Sequence, residues 1–304
     1  MVHADARGMF APLRRRPPSI HALVLFLATI VLTAAANGAP ALPLQAVRTA
    51  PTDLAVTGRL VGVPAGESRF IRWADLRALP THKLKLTGEF VHGEQEVTVI
   101  FLHDLWQALP VGPQADVVLA TCGDGYAAVY REDFIRHYQP FLVLEINGQG
   151  PEKWPPPGLK YNPGPYVISV ATVVEPTVAH LLDPGHKKPW GVNTIEIGNF
   201  AERFRGAFTG KWAGLSARAA EGREIWINSC ASCHPGPGTI FGGTKSGQPF
   251  PVIAAIAGYD PGLFHRYVRA PKSENPAAKM EAHPHYTDAQ LDALIAFITA
   301  EPAK

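Results

Sequence analysis

Cysteine is nearly absent from this chain: three stand in 304 residues, at Cys122, Cys230 and Cys233. That is too few thiols for a zinc ribbon, so cysteine chemistry falls to one close pair and one distant residue. Methionine is as scarce, at Met1, Met9 and Met280. An excess of either charge is missing too: 28 Lys and Arg against 26 Asp and Glu give a formal balance of +2, which leaves no basic footprint for nucleic acid. No internal repeat and no Gly/Ser-rich or acidic tract occurs. What is present is a 46% hydrophobic share, enough to bury a core, in a length that accommodates two domains.

The first long apolar run lies near the amino terminus. Arg14, Arg15 and Arg16 precede IHALVLFLATIVL, and small residues follow in TAAANGAPA. This is the order of a secretory signal peptide, expected over residues 1–41 with cleavage between Ala36 and Ala41. The run is short of the roughly 20 residues that a membrane-spanning helix requires, so the expectation is cleavage, with retention as an anchor the alternative, and an exported, periplasmic protein with no stable membrane span. Pro17 and Pro18 directly after the arginines depart from a twin-arginine signal.

Export sharpens the question posed by INSCASCHPGPG, because an oxidising compartment ordinarily joins a close pair of thiols. Cys230 and Cys233 admit a structural disulfide, a redox-active dithiol, half of a zinc site, or covalent attachment of a c-type haem. A zinc site lacks further ligands at finger spacing, since Cys122 lies far upstream. A thioredoxin-like motif belongs in a βαβ pattern and has no need of His234. Cys-x-x-Cys-His is the haem-attachment pattern, in which two thioethers clamp the vinyl edge of the porphyrin while the adjacent His reaches the iron. A disulfide with an incidental His is the plainer alternative.

The flanks are consistent with haem attachment. SARAAEGREIWINSC places Ile225 and Trp226 at helical spacing from Gly222, predicting a short amphipathic helix. PGPGTIFGGTKSGQPFPV is dense in Gly and Pro, as a loop around a flat macrocycle must be. YTDAQLDALIAFITAEP predicts a last helix with Leu291, Leu294, Ile295 and Ile298 on one face, Thr287 as N-cap and Pro302 as its stop.

The stretch from about Ala213 to Ala300 thereby resembles the monohaem cytochrome c family, an all-α fold. The resemblance implies one covalent haem c on Cys230 and Cys233, with His234 as one axial iron ligand. It implies a Met in the loop before the last helix as the other, matched by Met280 in NPAAKMEAHPHYTDAQ. It further implies that Gly222 lets the first helix cross closely against an aromatic of the last, matched by Phe297. His283 and His285 are the rival ligands and would hold the iron at a lower potential than Met does. The bland reading of Met280 is core filler.

The region from Asp53 to Val174 mixes strands with short helices. LAVTGRLVGV, KLKLTGEFV, EVTVIF, FLVLEI and YVISVA read as strands, and RWADLRAL, LHDLWQAL and REDFIRHY as short helices, an α+β pattern. IRWADLRALP, VTVIFLHDLWQAL, TCGDGYAAVYREDF, FLVLEINGQ and YNPGPYVISV resemble a reduced form of the oxidoreductase molybdopterin-binding domain of the sulfite oxidase fold. In catalytic members a Cys gives its thiolate to molybdenum at a position that here reads GEFVHGEQE, with no Cys. Cys122 is the remaining candidate, yet Asp124 works against the electropositive setting a thiolate needs, and only Arg131 and Arg136 stand near enough to fold back. The expected role of Cys122 is a buried structural thiol, with metal ligation or an intermolecular disulfide as alternatives, and molybdopterin is not expected. His82, His92, His103 and His137 are scattered and read as surface or satisfied groups.

The expected organisation is a signal peptide at 1–41, a sulfite-oxidase-like α+β domain at 50–184, a linker with an added strand and short helix at 185–212, and an all-α cytochrome c domain at 213–304. The expected function is single-electron transfer with redox protein partners, an upstream dehydrogenase or a downstream oxidase, the first domain serving as docking or scaffold module. Two other functions fit the sequence. One is a molybdenum-dependent sulfite-type dehydrogenase fused to its own electron outlet, with Cys122 on the metal; the other is a haem sensor with an open sixth site.

Overall fold

The structure is a computed structural model, and it describes residues 42–87, 94–157, 159, 162–170, 187–237 and 242–300. The expected signal peptide, His92, Pro302 and the expected boundary after residue 184 lie outside the described residues.

The first half alternates strands with short helices. In chain order these are β1 (Leu54–Gly58), β2 (Arg69–Ile71), α1 (Trp73–Arg77), β3 (His82–Thr87), β4 (Glu94–Phe101), α2 (Leu102–Ala108), β5 (Val117–Cys122), β6 (Ala127–Arg131), α3 (Glu132–Tyr138), β7 (Pro140–Ile146), β8 (Tyr166–Val170) and β9 (Trp190–Gly198). They form one sheet in the order β2-β1-β9-β8-β7-β4-β3, to which the β5–β6 hairpin is joined through β5 on β9. The β1–β9 pairing is parallel and the rest are antiparallel, so the sheet is mixed.

Successive side chains of a strand point to opposite faces, and the hairpin buries both. Val118 and Ala120 of β5, with Ala128 and Tyr130 of β6, join the core that also holds Leu76, Leu105 and Ile135 of α1 to α3. The alternate residues Val117, Leu119 and Val129 join a second core with Phe200, Phe204, Ile225, Trp226, Leu294 and Phe297. Each such side chain contributes about 1.5–3 kcal/mol when fully buried. The β half and the helical half are therefore welded along the outer face of one hairpin, and the described residues make one compact unit. The strand expected within the 185–212 linker is β9. It runs inside the sheet between β1 and β5, because Val192, Ile195 and Ile197 fill the first core.

The second half holds α4 (Phe200–Arg203), α5 (Ala217–Asn228), α6 (Phe250–Tyr259), α7 (Pro261–Arg269), α8 (Pro271–Glu274) and α9 (Asp288–Ile298). Ser216 caps α5 by accepting from Ala219 N, and Thr287 caps α9 through a reciprocal capping box with Gln290. Leu291, Leu294 and Ile298 are buried, with Ile295 partly so. Gly222 stands where α5 crosses closely over α9. A Cβ on it would lie 1.8 Å from the carbonyl oxygen of Ala293, so the α9 backbone presses on this glycine. The Phe297 ring packs against Trp226, with centroids 6.3 Å apart. Among the described residues no helix is long and apolar enough to cross a membrane.

Candidate functional site

α5 ends where Ser229 leaves helical backbone geometry, and a single 3₁₀ turn over Cys230–Ser232 follows. Cys233 N and His234 N both donate to the carbonyl of Cys230, at 3.1 and 2.9 Å. This tight turn holds two thiols and an imidazole together at the end of a helix anchored in the second core. Neither thiol is in a disulfide, and both are half-buried. Burial pushes the Cys233 thiol up to about 11, so it is protonated at neutral pH.

Burial, with a smaller contribution from nearby His283, draws the pKa of His234 down to about 4, so its ring is neutral at pH 7. Its Nδ1 lies 2.7 Å from Ser246 Oγ. That hydrogen bond engages one ring nitrogen and leaves Nε2 as the one free to carry a lone pair toward a metal. Ser246 comes from the loop after the motif, where its own N–H donates to Cys233 O at 3.1 Å. A hydroxyl in a Gly- and Pro-dense loop carries no sequence signal, and sequence reasoning missed it.

The remaining candidates lie in the segment leading into α9. Met280 is half-buried against the same core that receives Cys230. His283 is buried at 7% exposure and lies within electrostatic reach of His234, whereas His285 is exposed. The fold thus brings Cys230, Cys233 and His234 into one turn and directs the Met280 and His283 segment toward the same core.

A haem fits this donor set: two thiols for carbon–sulfur bonds, a neutral imidazole with its outer nitrogen occupied, and a thioether. Buried Trp226 Nε1 before the motif and Ser232 Oγ within it have no hydrogen-bond partner, and such atoms are the ones a polar cofactor periphery satisfies.

Residues 219–300 match the cytochrome c family model. The chain contains a cytochrome c domain. Among solved structures, the sulfane dehydrogenase SoxCD of Paracoccus pantotrophus is similar over 52% of this chain and 42% of its own, at 13% identity and a TM-score of 0.35. The chain therefore spans less than half of the length of that structure. No curated protein matches the chain.

Outside the cytochrome c domain, Cys122 ends β5 with 4% exposure inside the first core. Burial, then the charge of Asp124, pushes its thiol up to about 12. Neither arginine folds back on it: Arg131 lies over the Phe200 ring at 4.4 Å, and Arg136 faces Glu132 at 4.0 Å. This is the setting of a packed thiol. His82 packs on Phe101, His103 pairs with Gln107 and His137 sits edge-on to Tyr138. No group of three His, Cys, Asp or Glu suited to a metal occurs among the described residues.

Proposed function

We propose that this chain is an exported, periplasmic c-type cytochrome that passes single electrons between redox proteins. One haem c is held covalently by Cys230 and Cys233, with His234 and Met280 as axial ligands. The observation that carries this reading is the turn of Cys230 to His234, with the His234 ring neutral and fixed through Nδ1, inside a segment that matches cytochrome c. When bound, the haem supplies reversible one-electron chemistry between ferrous and ferric iron. The protein supplies rigidity and dryness. The rings of Trp226, Phe250 and Phe297 stack within 5.0–6.3 Å of one another beside the motif and exclude water. Two fixed ligands on a rigid core leave little to rearrange on electron transfer, and no substrate pocket is required.

The first half is proposed as a docking and scaffold module of sulfite-oxidase type without molybdenum, supported by the buried, uncharged state of Cys122. Pure protein is expected to contain iron and no molybdenum. Molybdenum in stoichiometric amount would transfer the reading to a sulfite-type dehydrogenase.

His283 is a second candidate for the sixth ligand, on the specific ground that it is buried and electrostatically coupled to His234. Met280→Ala is expected to abolish the near-infrared sulfur-to-iron band of the oxidised protein and to open the site to carbon monoxide in the reduced one. A band absent from the wild type, with a spectrum altered by His283→Ala and not by Met280→Ala, would reassign the ligand to His283.

A further inference from the structure

The loop that positions His234 is held from outside the cytochrome c domain. The turn between β5 and β6 closes through Gly125 N donating to Cys122 O at 3.1 Å and Tyr126 N donating to Asp124 Oδ1 at 3.0 Å. Its tip docks on residues 244–246. Thr244 N donates to Gly125 O at 2.9 Å, and Lys245 Nζ pairs with Asp124 Oδ2 at 2.8 Å while lying over the Tyr126 ring at 5.6 Å. The fit leaves no room. Gly125 has φ +85°, and a Cβ there would stand 2.4 Å from Thr244 Oγ1 and 3.2 Å from Lys245 N. The next residue is Ser246, whose Oγ meets His234 Nδ1 and also accepts from Gln248 N at 3.2 Å.

We propose that the Asp124–Gly125 turn of the sheet is a positioning element for the axial histidine: it fixes the 244–246 segment so that Ser246 Oγ accepts the Nδ1 proton of His234. The inference rests on the proposed role of His234 as an iron ligand. With Nε2 directed to the metal, Nδ1 carries the proton and donates it to Ser246 Oγ. An imidazole that donates through Nδ1 is a stronger electron donor through Nε2, and it favours the ferric state. The β half thereby sets the electron affinity of a group held by the helical half. Because the Asp124–Lys245 pair is half-exposed, the backbone contact at Gly125 does most of the holding.

The test uses the full matured chain and reads the midpoint potential by spectroelectrochemistry. Ser246→Ala is expected to shift the equilibrium toward ferrous iron up to about tenfold, a rise of about 59 mV for one electron, with a six-coordinate spectrum retained. Ser246→Thr, which keeps the acceptor, is expected to restore the wild-type potential. Gly125→Ala, which changes no charge, is expected to move the potential the same way. Combined with Ser246→Ala it should add little, because both changes break one connection. If Gly125→Ala does not fold, Thr244→Pro, which removes the N–H that donates to Gly125 O and changes no charge, replaces it in the cycle. A haem-loaded protein whose potential ignores both changes, or in which the two effects add fully, overturns this inference alone. A wild-type protein without covalent haem overturns the functional reading and this inference with it.

Discussion

Gly222→Ala is expected to destabilise the protein by about 3 kcal/mol, the upper part of the range for overpacked cores. The added methyl would lie 1.8 Å from Ala293 O, 2.3 Å from Ala293 C and 2.8 Å from Leu294 N. All three are backbone atoms of a capped helix and cannot rotate aside. α9 must move away, which loosens the contacts of Leu294 and Phe297 with Ile225 and Trp226. At an exposed helical position the same change would stabilise by about 1 kcal/mol, so the sign of the effect tests the crossing. Urea titration is the measurement: the midpoint should fall with the slope retained. An unchanged or raised midpoint would mean that α5 and α9 do not meet at Gly222.

The second large effect concerns Lys187, 2% exposed, between the hairpin and α5. Its Nζ donates to Val129 O and Asn228 Oδ1, and the Tyr130 hydroxyl donates to its carbonyl oxygen at 2.9 Å. Burial draws its pKa from the ordinary lysine value down to about 7. Above that value the native lysine is neutral while the unfolded one stays charged, so the unfolded state binds more protons and stability rises with pH. The account predicts a gain on the order of 2–3 kcal/mol between about pH 7 and pH 9. Lys187→Met should flatten this slope and leave the protein more stable than wild type at about pH 6. Above about pH 9 the Cys122 thiol, held protonated by burial, pulls the other way, since unfolding then releases its proton. Denaturation midpoints of both proteins across this range decide the matter. Parallel profiles would show that Lys187 is charged in the native state.

Much of this fold was legible where one face is polar. LAVTG and EVTVIF became β1 and β4, WADLR, LHDLWQA and EDFIRHY became α1 to α3, and Thr287 caps α9 as its position before the apolar run predicts. β5 and β6 were not read as strands. The first four residues of VVLATC are all apolar because the first core covers one face and the helical half the other, which erases the alternation that marks a strand. β9 read as part of a linker for a related reason: which strands pair is settled by contacts distant in sequence. The covalent motif was legible because its chemistry is contiguous. Ser246 and the docking of the Asp124–Gly125 turn on residues 244–246 were not, since they reach His234 only through tertiary packing.

The intact mass of the unfolded, matured protein, produced alongside a working haem-ligation system, tests the central claim most directly. The account predicts the polypeptide plus one haem, with the colour following the chain under denaturing conditions and lost from the Cys230→Ser, Cys233→Ser variant. A colourless polypeptide lighter by two hydrogens would show a cystine between Cys230 and Cys233, and would contradict it.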